Sequence, residues 1–133
     1  MTTIKTILCV DDDKDDLLML REAINNSGTT YHIIEAFDGQ HALELLHQMQ
    51  YAGTLPCLII LDINMPRMDG KQTLVALQKD PVLAAIPVVL FSTSSSLIDQ
   101  RFSNARNVRL FVKPFDQQSL LEIAARILNH CTI

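Results

Sequence analysis

Short apolar runs and amphipathic segments alternate five times along the chain. The runs are nearly uninterrupted, which is typical of parallel strands covered on both faces. They are Ile7 to Val10, Ile33 to Ala36, Leu58 to Leu61, Val88 to Phe91 and Leu110 to Val112. Between and after them, apolar residues recur at the three- and four-residue spacing of a helix face. These faces are Leu17, Leu20 and Ile24; Ala42, Leu45, Leu46 and Met49; Leu74 and Leu77; Ile98, Phe102 and Ala105; and Leu120, Ile123, Ala124 and Ile127.

Helix ends are marked by residues with a physical reason to be there. Asp80-Pro81 is expected to close the third helix, Ser96 with Asp99 resembles a capping box for the fourth, and Asp116 can cap the fifth. Five strand–helix units predict an α/β protein with a parallel sheet and helices on both faces. In such sheets functional groups collect at the carboxyl ends of the strands.

Length and composition predict one domain over residues 1–133 with a single core, because 133 residues with 48% hydrophobic side chains can bury one. No apolar stretch approaches the roughly 18 residues of a membrane span, and no signal peptide is visible, so a cytoplasmic protein without membrane contact is expected. The net charge is −7 over residues 1–66 and +3 over 67–133. This distribution argues against direct nucleic-acid binding.

Cysteine and histidine usage gives little sign of a metal or redox site. Three cysteines without a CxxC motif predict reduced thiols, and Cys9 and Cys57 lie in apolar runs as core residues would. The four histidines show no zinc-ligand spacing.

The stretch "VDDDKDD" at 10–16 crowds five aspartates behind the first strand. One interpretation is a calcium loop, since Asp11, Asp13, Asp15 and Glu22 have EF-hand-like spacing, but Asp16 stands where such a loop needs glycine and the run follows a strand. A second is helix capping, because aspartate meets the positive end of the helix dipole. The third is that some carboxylates hold a metal.

The carboxyl ends of the predicted strands carry a set of polar residues that suits phosphoryl chemistry. The first strand is followed by two carboxylates, the third by one, the fourth by a hydroxyl and the fifth by a lysine; they are Asp11, Asp12, Asp62, Ser92 and Lys113. Converging carboxylates repel, and Mg²⁺ is the natural compensation, with phosphate oxygens completing its coordination. Lys113 and Ser92 then supply a cation and a donor for a phosphoryl group.

Asp62 is the best-placed acceptor for that group. It lies at the tip of the central strand and opens the loop "DINMPRMDG", in which Pro66 and Gly70 shape a tight path into the third helix.

Four motifs in this order resemble the receiver domains of two-component response regulators over nearly the whole chain. They are "ILCVDDD", "LIILDINMPRMDG", "IPVVLFST" and "VKPF". The resemblance implies a flavodoxin-like, doubly wound (β/α)5 fold with strand order 2-1-3-4-5. It also implies a cis peptide between Lys113 and Pro114.

The resemblance assigns roles residue by residue. Asp62 would be the phosphoacceptor, and Ser92 and Lys113 would bond the phosphoryl group. Mg²⁺ would be held by Asp11, Asp12, Asp62 and the backbone carbonyl of Asn64. Asp13, Asp15 and Asp16 would then belong to the start of the first helix.

The function implied is that of a phosphorelay signalling domain rather than an enzyme, with slow self-dephosphorylation. The phosphoryl donor would be a sensor histidine kinase or a histidine phosphotransfer protein. Output would reach a downstream protein target through the face of the fourth helix, fifth strand and fifth helix, and a homodimer through that face is allowed. A stand-alone receiver is expected, because the sequence ends soon after the fifth helix.

Three alternatives remain open. They are a receiver-like binding module without phosphorylation, a receiver excised from a longer regulator or hybrid kinase, and a haloacid-dehalogenase-like phosphatase. The last is disfavoured because Asp62-Ile63-Asn64 lacks a second aspartate and lies on the third strand.

The chain departs from the family at Leu110, where an aromatic residue is usual three positions before the lysine. Phe111 is one residue later, and in a strand it points to the opposite face. Both residues are therefore expected to pack as ordinary core residues.

Overall fold

The computed structural model describes residues 4–131 and contains a five-stranded parallel sheet in the order β2-β1-β3-β4-β5. The strands are β1 (Lys5–Val10), β2 (Tyr31–Ala36), β3 (Leu58–Leu61), β4 (Val88–Ser92) and β5 (Arg109–Val112). The helices are α1 (Lys14–Asn25), α2 (Gly39–Ala52), α3 (Gly70–Lys79), α4 (Leu97–Ala105) and α5 (Gln117–Leu128), with a 3-10 turn at Leu83–Ala85. The predicted fold class and strand order are confirmed.

The sheet separates two apolar cores, because alternate strand residues point to opposite faces. On one face, Ile7, Cys9, Ile60 and Phe91 pack with apolar residues of α1 and α5. On the other, Leu8, Leu61, Leu90 and their neighbours pack with α2, α3 and the 3-10 turn. β3, with Leu58–Leu61 buried at every position, is the central strand, so residues that follow it emerge in the middle of the sheet edge.

The predicted helix ends are largely confirmed. Asp80 ends α3, and the side chain of Asp116 accepts a hydrogen bond from the Ser119 N–H. Ser96 caps α4 by accepting from the Asp99 N–H, but the Asp99 carboxylate turns to Lys71 and Ser94 instead of completing a capping box. That part of the prediction is wrong because a lysine competes for the carboxylate.

The expected packing of Leu110 and Phe111 is confirmed by the register of β5. Phe111 pairs with Phe91 and is buried on the α1–α5 face, while Leu110 pairs with Leu90 and packs against the opposite core. No bulge shifts the register of β5 against β4, so the Phe111 side chain does not reach the face on which Leu90 and Leu110 lie.

Two expectations from the sequence are wrong. The Lys113–Pro114 peptide is trans, since no cis peptide occurs among residues 4–131. Cys57 and Cys131 form a disulfide and only Cys9 is free, whereas reduced thiols were expected. Cys57 directly precedes β3 and Cys131 follows α5, which runs back along the sheet, so the topology joins residues 74 positions apart.

No helix within residues 4–131 is long and apolar enough to cross a lipid bilayer.

The disulfide predicts the number of reactive thiols. In unfolded, unreduced protein one thiol per chain should react, and all three should react after reduction. Because the bond closes a long loop, reduction should lower the free energy of unfolding by up to about 4 kcal/mol. Thiol titration in denaturant and equilibrium unfolding with and without reductant measure both.

Cys131→Ser is the control for this prediction, since it should expose two reactive thiols without any reductant. Three reactive thiols in the unreduced parent protein would contradict the disulfide.

Candidate functional site

Three carboxylates meet where β1 and β3 end. Oxygen atoms of Asp11, Asp12 and Asp62 all lie within 4.8 Å of one another. The backbone explains why: the Asp11 N–H donates to the Ala36 carbonyl at 3.0 Å, and the Asp62 N–H donates to the Val10 carbonyl at 2.9 Å. Both residues therefore continue the strand pairing by one step, and the sheet itself brings their side chains together.

Lys113 enters this group from β5. Its N–H donates to the Ser92 carbonyl at 2.8 Å, which aligns it with the end of β4. Its Nζ donates to Asp11 Oδ2 at 2.6 Å and lies 3.5 Å from Asp62 Oδ2. One ammonium thus contacts carboxylates from the ends of two strands.

Burial and neighbouring charges shift the pKa values of both Lys113 and Asp11. For Lys113, burial disfavours the ammonium, but the hydrogen-bonded carboxylates of Asp11 and Asp16 outweigh it and raise the pKa above its usual value. For Asp11, burial raises the carboxyl pKa to about 6, against the lowering effect of Lys113. Four carboxylates, those of Asp11, Asp12, Asp16 and Asp62, lie around this site, more than the single ammonium of Lys113 can offset.

One of the five aspartates in residues 10–16 has a different role from the one expected from the sequence. Asp13 caps α1, accepting from the N–H groups of Asp15 and Asp16, as expected. Asp16, however, also accepts from Lys113 Nζ at 2.8 Å, although it was expected to serve only the helix start. The first turn of α1 aims this carboxylate back over the sheet edge, so Asp16 belongs to the charge network of the site.

The backbone around Asp62 leaves no spare room. Its Oδ1 accepts from the Ile63 N–H at 2.8 Å, and the Gly70 N–H donates to the Ile63 carbonyl at 2.8 Å. A Cβ atom on Gly70 would lie 2.0 Å from the Asp62 carbonyl oxygen. The loop therefore closes tightly on the acceptor candidate, and glycine is required where α3 begins.

The remaining predicted residues lie at the same edge. Ser92 is fully buried at the end of β4, and its Oγ accepts from the Ser94 N–H at 3.4 Å. Asn64 is exposed two residues after Asp62. Sequence reasoning thus identified the strand-end residues that the topology collects.

A second charged contact beside the site was missed. Asp99, in the first turn of α4, is buried, lies 2.5 Å from Lys71 Nζ at the start of α3 and accepts from the Ser94 hydroxyl. Lys71 and then Ser94 lower the Asp99 pKa below its usual value. This network ties the loop after Ser92 to α3 and α4. The only sequence signal was the charge on Asp99 within an apolar helix pattern.

The donor set fits Mg²⁺. All three clustered side chains offer hard carboxylate oxygens, which lie close enough together to bind one cation. A cation that accepts one or two carboxylates and keeps positions for water or phosphate suits this geometry.

A parallel sheet of this order, with an acidic cluster and a lysine at its carboxyl edge, defines the class of receiver domains. Residues 7–125 match the family model described as "Response regulator receiver domain". The chain therefore belongs to the response regulator receiver family, in which the phosphoacceptor role is general. Receiver domains are signalling modules and generally not enzymes, although some relatives are multi-domain enzymes.

The chain is similar to several individual members of the family. It is 37% identical over 92 residues to response regulator Rcp1 of Synechocystis, covering 68% of this chain and 63% of Rcp1, so it matches less than two thirds of that relative. It is 32% identical to the probable methanogenesis regulatory protein FilR2 of Methanothrix harundinacea, covering 93% of this chain and 81% of FilR2.

Among solved structures, the phosphorylated cyanobacterial phytochrome response regulator RcpA aligns with a TM-score of 0.87 and 33% identity, over 97% of this chain and 94% of RcpA. The Mn²⁺-bound form of Rcp1 aligns with a TM-score of 0.80 and 30% identity, over 94% and 92% of the two chains.

The contact between Gly70 and Asp62 predicts a large effect of Gly70→Ala. The added Cβ would overlap the Asp62 carbonyl, so the free energy of unfolding should fall by at least about 2 kcal/mol. Urea denaturation measures this. Gly53→Ala is the control: φ is +74° there and the space is open, so only backbone strain of about 1 kcal/mol should appear. Equal losses in the two variants would contradict the overlap.

Proposed function

We propose that Asp62 accepts a phosphoryl group from a phosphohistidine, with Mg²⁺ held by Asp11, Asp12, Asp62 and the carbonyl of Asn64. The observation that carries this proposal is that Lys113 and two carboxylates, those of Asp11 and Asp12, lie beside Asp62 where three strands end. Family membership supports the same reaction.

In the proposed step, a carboxylate oxygen of Asp62 attacks the phosphorus atom as the phosphorus–nitrogen bond of the phosphohistidine breaks. The acyl phosphate stays on Asp62, and the bonding electrons leave with the donor imidazole, which takes up a proton. Oδ2 is the oxygen in position to attack, since it faces Lys113, whereas Oδ1 is engaged by the Ile63 N–H.

Lys113 is placed to offset the charge on the transferred group. Its ammonium already contacts Asp11, Asp16 and Asp62, so it needs only a short movement to pair with phosphoryl oxygens. Mg²⁺ held by Asp11, Asp12 and Asp62 would supply further positive charge to stabilise those oxygens. The Mn²⁺-bound form of Rcp1 supports a divalent cation in such a site.

The Ser92 hydroxyl is the group that would report phosphorylation. It is buried at the end of β4, next to the network of Ser94, Asp99 and Lys71. Bonding of Ser92 to a phosphoryl oxygen would pull on the loop that enters α4. The change would reach the face of α4, β5 and α5, where a downstream target or a second copy of the chain would dock.

The phosphoryl donor is proposed to be a histidine kinase of the phytochrome class. The support is the similarity to RcpA, described as a phytochrome response regulator, over 97% of this chain. The test compares the rate of phosphoryl transfer to this chain from a phosphorylated phytochrome-class histidine kinase with the rate from an unrelated phosphorylated histidine kinase. Equal rates from both donors would contradict it.

The acceptor assignment predicts the outcome of phosphorylation with a small acyl phosphate and Mg²⁺. The protein should gain one acid-labile acyl phosphate, visible as a mass increase, and Asp62→Asn should gain none. Asp69→Asn is the control, because it removes an aspartate from the same loop outside the carboxylate cluster.

No adduct on the parent protein would favour the receiver-like binding module. Rapid release of inorganic phosphate over many turnovers would favour the phosphatase.

The division of the aspartate run predicts different effects along it. Asp12→Ala should abolish Mg²⁺-dependent phosphorylation, because it removes a metal ligand. Asp15→Ala should leave phosphorylation intact and cost at most about 0.5 to 1 kcal/mol of stability, since Asp15 acts only on the helix dipole. Mass spectrometry of the phosphorylated protein and urea denaturation measure the two effects. Equal loss of phosphorylation in both variants would show that the division is wrong.

A further inference from the structure

We infer that the ion pair between Asp38 and Arg67 positions the loop from Ile63 to Asp69. This loop includes Asn64, whose backbone carbonyl is proposed to bind Mg²⁺. Asp38 follows β2, whose end provides no group to the carboxylate cluster. The role of the loop in binding Mg²⁺ rests on the proposed function. The ordering of the loop by the Asp38–Arg67 pair does not depend on that function.

The pair joins two segments that are far apart in sequence. Arg67 donates to Oδ2 of Asp38 from Nε at 2.9 Å and also from Nη2. Asp38 is only 5% exposed, while the Arg67 side chain is 72% exposed. The other Asp38 oxygen accepts from the His41 N–H at 2.8 Å. Both oxygens of this buried carboxylate therefore accept hydrogen bonds, and the His41 N–H and then Arg67 lower the Asp38 pKa.

Arg67 has a backbone conformation that the surrounding structure must hold in place. Its φ is +64°, in the left-handed region that residues other than glycine rarely adopt, at a cost of about 1 to 2 kcal/mol. Asp38 is a fixed partner for this residue, because it is also the N-cap of α2. The side-chain pair thus opposes the tendency of the loop backbone to relax.

Neighbouring contacts make the connection stiff. The Gly39 N–H donates to the Met68 carbonyl at 3.2 Å, next to Arg67. A Cβ atom on Gly39 would lie 2.0 Å from Thr73 Oγ1, so the start of α2 touches α3 directly. Movement of Arg67 relative to α2 is therefore restricted on both sides.

The other end of the loop leads to the acceptor. The Gly70 N–H donates a hydrogen bond to the Ile63 carbonyl, and the Ile63 N–H donates one to Asp62 Oδ1. A shift at Arg67 is transmitted through this closed loop to Asn64 and Ile63. Asp38 and Arg67 are accordingly positioning residues, which touch neither the carboxylate cluster nor Lys113 in this structure.

The test compares Arg67→Ala, Arg67→Gly and Arg67→Lys in the full chain. Arg67→Ala should speed amide hydrogen exchange of residues 63–69 in metal-free protein by about tenfold. It should also weaken Mg²⁺ binding by about tenfold, as loss of a group supporting a metal ligand does. Arg67→Gly removes the strain together with the pair, so it should loosen the loop as well, and Arg67→Lys should partly restore protection.

Arg21→Ala is the matched control, because it deletes the partly buried Arg21–Glu35 pair at 3.2 Å, which joins α1 to β2. It should leave both readouts unchanged. Unchanged amide exchange of the loop in Arg67→Ala would overturn the inference. A loop in Arg67→Gly that is as protected as in the parent protein would also overturn it, because backbone strain alone, and not loss of the ion pair, would then explain any loosening in Arg67→Ala.

Failure of the proposed function is distinguishable from failure of this inference. A chain that forms no acyl phosphate on Asp62 would still show the exchange difference if the pair orders the loop. A chain that phosphorylates normally and shows the same loop protection in every variant would overturn the inference alone.

Discussion

Repulsion between carboxylates that the sheet forces together is the constraint on which the site depends. β1 and β3 are adjacent, and strand pairing continues into Asp11 and Asp62, so their side chains cannot separate without loss of backbone hydrogen bonds. Lys113 offsets part of this charge through contacts with Asp11, Asp16 and Asp62. Burial, and to a smaller extent the Asp62 charge, raises the Asp11 pKa, and the clustered carboxylates create a place for a divalent cation.

The loops around this cluster are held by contacts that leave little freedom. Gly70 lets α3 begin against the Asp62 carbonyl, Arg67 reaches Asp38 at the start of α2, and Lys71 binds Asp99 at the start of α4. Each contact joins the start of one helix to the acceptor loop or the next helix. β1 and β3 hold the carboxylate cluster through strand pairing. The loop after Ser92 is proposed to convert phosphorylation into a change of the protein surface.

Much of this arrangement could be predicted from the sequence, because the decisive patterns are local. Apolar runs and helical spacing identified the strands and helices, and strand-end positions identified Asp11, Asp12, Asp62, Ser92 and Lys113. Other features depend on contacts between segments that are far apart in the sequence. Asp16 contacts Lys113, Cys57 bonds to Cys131 and Asp38 pairs with Arg67 only because distant segments are brought together. No spacing rule along the chain contains that information.

The account depends most on a carboxylate cluster that is short of positive charge, and Mg²⁺ linkage to stability tests it directly. The free energy of unfolding should be measured against Mg²⁺ concentration at constant ionic strength. It should rise by about 1.4 kcal/mol for each tenfold increase above the dissociation constant, because only the folded chain gathers the three carboxylates. A free energy of unfolding that stays constant across millimolar Mg²⁺ would contradict the account.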